Sequence, residues 1–153
     1  MSEHVASIHW TRGDAEFTYE TYSRAHTVRF ANGIELAASA APAFLGDADR
    51  VDPEASFVAA LSSCHMLTFL AIAARKRLVV EGYEDAAIGY LEKNAEGRLA
   101  MTRVVLRPKV VFGGAPPEPE QLKRMHATSH RNCFIANSVT TSVTVEPARV
   151  EPE

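Results

Sequence analysis

Cysteine occurs only twice, at Cys64 and Cys133, and tryptophan once, in a chain of 153 residues. Small secreted proteins usually carry several cysteines as a disulfide framework, so two exclude that kind of scaffold. No series of basic, then apolar, then small residues opens the chain, and no signal peptide is expected. The reducing cytoplasm is therefore the expected compartment. An excess of one charge is also missing: 16 Lys and Arg stand against 19 Asp and Glu, for a net charge of -3. We expect neither a nucleic-acid partner nor an anionic membrane surface. Long hydrophobic runs are scarce. The most apolar segment, Phe57 to Ala74, is broken by Ser62, Ser63, His65 and Thr68 and is flanked by charge. It reads as a buried helix rather than a membrane span. There is no internal repeat and no low-complexity tract. What is present is an ordinary 46% hydrophobic fraction in a length that suits one core. A single domain over residues 1–147 with a C-terminal tail at 148–153 is expected.

The first forty residues read as strands. Ile8 and Trp10 lead to a turn at Arg12-Gly13-Asp14, and Phe17, Tyr19 and the residues to Tyr22 follow. His26, Val28 and Phe30 then alternate up to Asn32-Gly33, with Ile34, Leu36 and Ala38 beyond it. Asn-Gly between alternating runs signals a hairpin, because both residues accept positive φ. After a loop holding Pro42 and Gly46, Asp52-Pro53 starts a helix, with Asp as N-cap and Pro in the first turn. That helix is expected to reach about Lys76, where Arg75, Lys76 and Arg77 suit its negative end. Phe57, Leu61, Cys64 and Thr68 follow one face, and Val58, Met66, Leu67, Leu70 and Ile72 cover much of the rest. A helix apolar on nearly all sides must be covered from several directions, which one small domain does poorly. A partner subunit is the expectation. A second hairpin runs from Val80 to Glu92, turns around Asn94 to Gly97, and returns over Leu99 to Phe112, with Pro108 at an edge or bulge. A second helix over Glu118 to Asn132 presents Leu122, Met125, Ser129 and Cys133 at helical spacing. Val139, Val143 and Val145 make a last strand. This order of strands, helix, hairpin, helix and strand is α+β.

A cysteine pair in such a protein is buried and inert, metal-binding, or redox-active. Cys64 lies in an apolar helix, where cysteine is most often a small hydrophobe. His126, His130 and Cys133 fall at i, i+4 and i+7 on one helical face, and Cys64 and His65 are adjacent, so the ligand types that zinc accepts are present. No Cys-x-x-Cys pair accompanies them. His65 is read more simply as a polar neighbour inside the helix, hydrogen-bonded in the core or lining a pocket.

Two segments carry a resemblance. Asp52-Pro53-Glu54-Ala55-Ser56-Phe57-Val58-Ala59-Ala60-Leu61-Ser62-Ser63-Cys64 resembles the Pro-Glu start, small-residue helix and first cysteine of the organic hydroperoxide resistance and osmotically inducible (Ohr/OsmC) family. His130-Arg131-Asn132-Cys133-Phe134-Ile135-Ala136-Asn137-Ser138-Val139 is similar to its second cysteine and the Asn-Ser entry to the final strand. Many members have proline directly after that cysteine; this chain has Phe134, which resembles a broader branch of the family. The resemblance implies antiparallel sheets packed around a long central helix in an intertwined homodimer. It also implies a cysteine-based hydroperoxide reductase acting on lipophilic organic hydroperoxides, regenerated by an external dithiol of the lipoyl type, with no metal, haem or flavin cofactor.

In that family pattern Cys64 is the nucleophile and Cys133 resolves its sulfenic acid to a disulfide. The early-strand arginine of the family falls at Arg24, eight positions before the Asn32-Gly33 turn, with Arg29 also near. A guanidinium stabilises a thiolate, which an apolar setting otherwise disfavours, and Glu54 would hold it in a bidentate pair. Glu54 and Cys64 are ten residues apart on one helix, about 15 Å. Two such helices packed antiparallel bring Glu54 of one chain to Cys64 of the other, so a site shared across a dimer is expected. The alternatives are a Cys/His metal-binding protein and a catalytically silent ligand-binding dimer of the same fold.

Overall fold

The structure is a computed structural model and describes residues 1–148. Its chain divides into two compact units, one over Met1–Ser56 and one from Phe57 onward. In the first, β1 (Ala6–His9), β2 (His26–Phe30) and β3 (Glu35–Ala38) form an antiparallel three-stranded sheet in that order. Val28 pairs with Ile8 on one side and Leu36 on the other. The Asn32-Gly33 hairpin forms, but as a three-residue loop closed by Phe30 and Ile34, and Gly33 alone takes positive φ, at 83°. Gly33 N–H donates to Phe30 O at 2.9 Å, which closes the tight turn. The strand expected over Phe17 to Tyr22 is absent. Thr18 and Thr21 bond each other, Thr21 Oγ1 donates to Glu16 O at 2.7 Å, and Tyr22 N–H donates to Thr18 O. These local threonine bonds satisfy the backbone in turns, the usual competitor to a strand ladder. The apolar side chains that suggested a strand cluster instead, with Phe17 and Tyr22 rings 5.4 Å apart and Trp10 beside both. Ser39 and Val51 then link the long loop, which holds a 3-10 turn at Pro42–Phe44.

α1 (Pro53–Arg75) starts where the sequence places it. Asp52 Oδ1 accepts from Ala55 N–H at 2.7 Å, the expected cap. By length and composition this helix is apolar enough to cross a membrane. Its fully buried residues are Leu61, His65, Phe69 and Ala73, one in every four. The expected face through Cys64 and Thr68 is thus displaced by one residue, while Leu67 stays 60% exposed. A row of every fourth residue advances about 40° per step around a helix of 3.6 residues per turn. From Leu61 to Ala73 the row therefore swings through about 120°, and two differently placed sheets meet it.

The second hairpin supplies them. β4 (Val80–Asp85) pairs with β7 (Pro108–Phe112), and β5 (Ile88–Lys93) with β6 (Leu99–Leu106). Asp85↔Pro108 and Ile88↔Val105 keep one register, so this is a single hairpin broken at Ala86-Ala87 and Arg107. Pro108 has no N–H to continue a ladder and opens β7 at the break. Asp85 spans the break: Oδ1 accepts from Arg107 N–H at 2.6 Å and Oδ2 from Ser62 Oγ of α1 at 2.5 Å. The tip turns as expected at Asn94 to Gly97, with Asn94 Oδ1 accepting two backbone N–H bonds.

One core cluster joins Leu61 to Val104 and Leu106; the other joins Phe69 and Ala73 to Val110 and Met125. α2 (Pro119–Asn132) matches its expected span, with Met125, His126 and Ser129 buried. A 3-10 turn at Ala136–Ser138 leads to β8 (Ser142–Val145), which lies parallel to β6. That pair departs from the expected all-antiparallel arrangement, because α2 forms a crossover between β7 and β8. Val139 falls before the strand but packs in the Leu61 cluster. The expected tail, apart from Ala148, lies outside the described residues.

Gly89 on β5 permits the close approach of α1. A Cβ there would meet Val58 and, at 2.5 Å, the Met101 methyl. Gly89→Ala is expected to destabilise by about 1–3 kcal/mol, the usual result of overpacking. Urea unfolding measures it, and an unchanged midpoint would contradict this packing.

Candidate functional site

Cys64 sits midway along α1, between the two core clusters, and is partly exposed. Cys133 directly follows α2 and is 1% exposed. Both are free thiols, and Cys64 is close enough to Cys133 to perturb its titration directly. The chain thus brings together two sulfurs from distant positions in the sequence. Burial pushes the Cys133 thiol up to about 11, and the nearness of Cys64 adds to this; backbone N–H groups of Ala136 and Ile135 oppose it. Ala136 N–H donates to Cys133 Sγ at 3.4 Å. Local backbone bonds fix Cys133 in place: its N–H donates to His130 O, and its carbonyl accepts from Asn137 N–H at 3.0 Å. The polar end of α2 had suggested an accessible Cys133. Instead the turn that follows wraps the sulfur, and Phe134 carries the exposure, at 80%.

Next to the sulfur pair, the same two helices make a second contact. His65 Nε2 and His126 Nδ1 lie 3.1 Å apart, with the rings stacked nearly parallel. Phe69 covers the other face of His126, centroids 4.5 Å apart. Burial lowers His65 to about 4, with His130 adding to the effect and Asp85 opposing it; burial and His65 lower His126 to about 4. His65 Nδ1 and His126 Nε2 are buried without hydrogen-bond partners. The sequence pointed to His65 as a core polar group and to His126 as a member of a histidine face. Their pairing was missed, because nothing in the sequence fixes how α1 and α2 face each other. His126, His130 and Cys133 share a helix side but do not converge with others. Among the described residues no group of three or more His, Cys, Asp or Glu side chains is placed to hold a metal ion.

Arg24 precedes β2 rather than lying within a strand, since the ladder begins at His26. Its guanidinium donates to Tyr22 O at 2.7 Å and Tyr19 O at 2.6 Å and lies 3.9 Å from the Tyr22 ring centroid. Glu54 lies in the first turn of α1, and its Oε2 is buried without a partner. Among the described residues no ion pair joins Arg24 to Glu54; Arg29, the neighbouring arginine, pairs with Glu35.

The model of the OsmC-like protein family matches residues 46–148. The chain belongs to this family. An OsmC-like protein of unknown function from Vibrio cholerae is 53% identical, with a TM-score of 0.93 over 97% of this chain and all of that one. An organic hydroperoxide resistance protein from Elizabethkingia anophelis, 17% identical, gives 0.71 over 96% and 94%. The organic hydroperoxide resistance protein OhrB of Bacillus subtilis, 16% identical, gives 0.66 over 94% and 98%. At those identities the last two show the fold alone. No curated protein matches the chain. The OsmC-like fold, α+β with two helices and several small sheets, is thereby established.

The histidine pair generates a pH dependence. In the folded protein each ring takes a proton only near pH 4, whereas in the unfolded chain it does so near 6.5. Between those values the unfolded state binds more protons. Stability should therefore fall as pH drops from 6.5 to 4, by up to about 1.4 kcal/mol per pH unit for each histidine. Denaturant unfolding across that range checks it, and the double variant His65→Gln, His126→Gln should flatten the slope.

Proposed function

We propose that this OsmC-like protein is a thiol peroxidase that reduces organic hydroperoxides through Cys64 and Cys133. The contact between the two free thiols is the observation that carries this reading. The partly exposed Cys64 is the nucleophile. Its thiolate attacks one peroxide oxygen, the O–O bond breaks, and the other oxygen leaves as alkoxide and is protonated to the alcohol. Cys64 is left as a sulfenic acid. The Cys133 thiolate then attacks the Cys64 sulfur, expelling hydroxide as water and closing the disulfide. An external dithiol, lipoyl-type by family resemblance, reduces it by exchange. Hydroperoxide-resistance names among the structural neighbours support the substrate class at family level.

The same reading assigns Arg24 the cation that keeps Cys64 ionised, and Glu54 the carboxylate that aligns it. Glu54 suits that role in having a buried carboxylate oxygen that still lacks a partner. Leu67, 60% exposed on an apolar helix, supports a second copy of the chain against α1, with the site shared across a homodimer. Work in the cytoplasm, where a dithiol pool is available, completes the proposal.

One equivalent of cumene hydroperoxide should remove two hydrogens from the intact mass and join the Cys64 and Cys133 peptides. Cys64→Ser should abolish turnover; Cys133→Ser should accumulate a sulfenic acid that dimedone traps. Thiols inert to peroxide would sink the proposal. A second expectation follows from the raised Cys133 thiol. Burial leads that shift and persists once Cys64 is oxidised, so the rate of disulfide closure should climb about tenfold per pH unit from pH 7 to pH 10. Stopped-flow measurement after a single peroxide pulse reads it; a flat profile would assign Cys133 an ordinary thiol.

A further inference from the structure

We infer that the reducing dithiol enters at Cys64 and never at Cys133, so that the covalent intermediate of regeneration is a mixed disulfide on Cys64. This rests on the disulfide cycle proposed above and adds which sulfur is attacked. Cys133 is 1% exposed and held between the end of α2 and the Ala136–Ser138 turn, whereas Cys64 is partly exposed on α1. Any further subunit can only cover more surface, so Cys133 is unreachable in every assembly of the folded chain, whereas the proposed cycle itself requires Cys64 to stay open to the hydroperoxide. Exchange requires the incoming thiolate to approach in line with the sulfur–sulfur bond, from the side opposite the leaving sulfur. Of the two sulfurs, only Cys64 keeps surface from which such an approach can start.

Leaving-group acidity argues the other way, and magnitudes decide. Burial raises Cys133 to about 11, and a leaving thiol some two units weaker as an acid slows exchange on the order of tenfold. A sulfur without accessible surface is not attacked at all until the fold opens. The Ala136 and Ile135 N–H groups also aim at Cys133 and offset part of its poor acidity.

The step then balances as follows. The dithiol's thiolate bonds to Cys64 Sγ, the Cys64–Cys133 bond breaks, and its electron pair leaves on Cys133 Sγ as thiolate. Cys133 takes a proton, and its raised pKa keeps it protonated, which suppresses return attack on the mixed disulfide. The dithiol's second sulfur, losing its proton, attacks its own first sulfur. Cys64 departs as thiolate and the reductant closes to a disulfide, two electrons having passed to the protein.

The test uses the wild-type chain, oxidised to its intramolecular disulfide with diamide so that peroxide turnover plays no part. Excess 2-mercaptoethanol, a monothiol unable to complete the second step, is added briefly. Acid quenching and alkylation with iodoacetamide at controlled pH precede peptide mapping. The expected result is mercaptoethanol on the Cys64 peptide and carbamidomethyl on the Cys133 peptide, with the reverse adduct at least about tenfold rarer. Mercaptoethanol on Cys133, or an even split, overturns the inference and leaves the peroxidase reading intact. No intramolecular disulfide with either diamide or cumene hydroperoxide overturns both.

Discussion

The burial of every fourth residue of α1 organises the second unit. Leu61, His65, Phe69 and Ala73 are enclosed in turn, and the row they form winds around the helix as it advances. No flat sheet follows a winding row for about three turns, and the chain answers by breaking its second hairpin. Asp85, Arg107 and Pro108 make that break, and Ser62 ties α1 to it. Leu61 then meets β6 while Phe69 and Ala73 meet β7 and α2. Cys64 and His65 lie at the changeover between the two clusters, the stretch where α1 faces the end of α2. The sulfur pair and the imidazole pair are both products of that one packing problem.

The two sulfurs differ in burial, and that difference distributes the chemistry. A thiol enclosed as Cys133 is favours its neutral form, while one that keeps some surface can meet a substrate. The nearness of Cys64 deepens the contrast, because it raises the Cys133 thiol further. Such unequal neighbours suit the proposed two-step cycle, in which one thiol would react with what arrives from outside and the other only with its partner.

Much of this was legible in the sequence, and the residues show why. Asp52-Pro53 marked the start of α1 because a cap and a first-turn proline act locally. Pro119–Asn132 and the Asn94–Gly97 turn were legible for the same reason. The segment from Phe17 to Tyr22 was not, because alternating aromatics look alike in a strand and in a cluster packed over threonine turns. The buried face of α1 was missed by one residue, since an all-apolar helix gives no contrast from which to choose a face. The family motif named the cysteines, but how far each is buried depends on the turn after Cys133. The cross-helix histidine contact depends on a rotation of α1 against α2 that no local signal encodes.

The histidine pair also bears on the nucleophile proposed above. An imidazolium beside a thiol lowers its pKa and does so in many cysteine enzymes. His65 adjoins Cys64 in sequence, yet it and His126 are held neutral down to about pH 4 by burial against each other and Phe69. At neutral pH they contribute no positive charge. Under the proposed cycle, a cation serving Cys64 would have to be one whose charge survives desolvation, and guanidinium is the side chain that meets that condition.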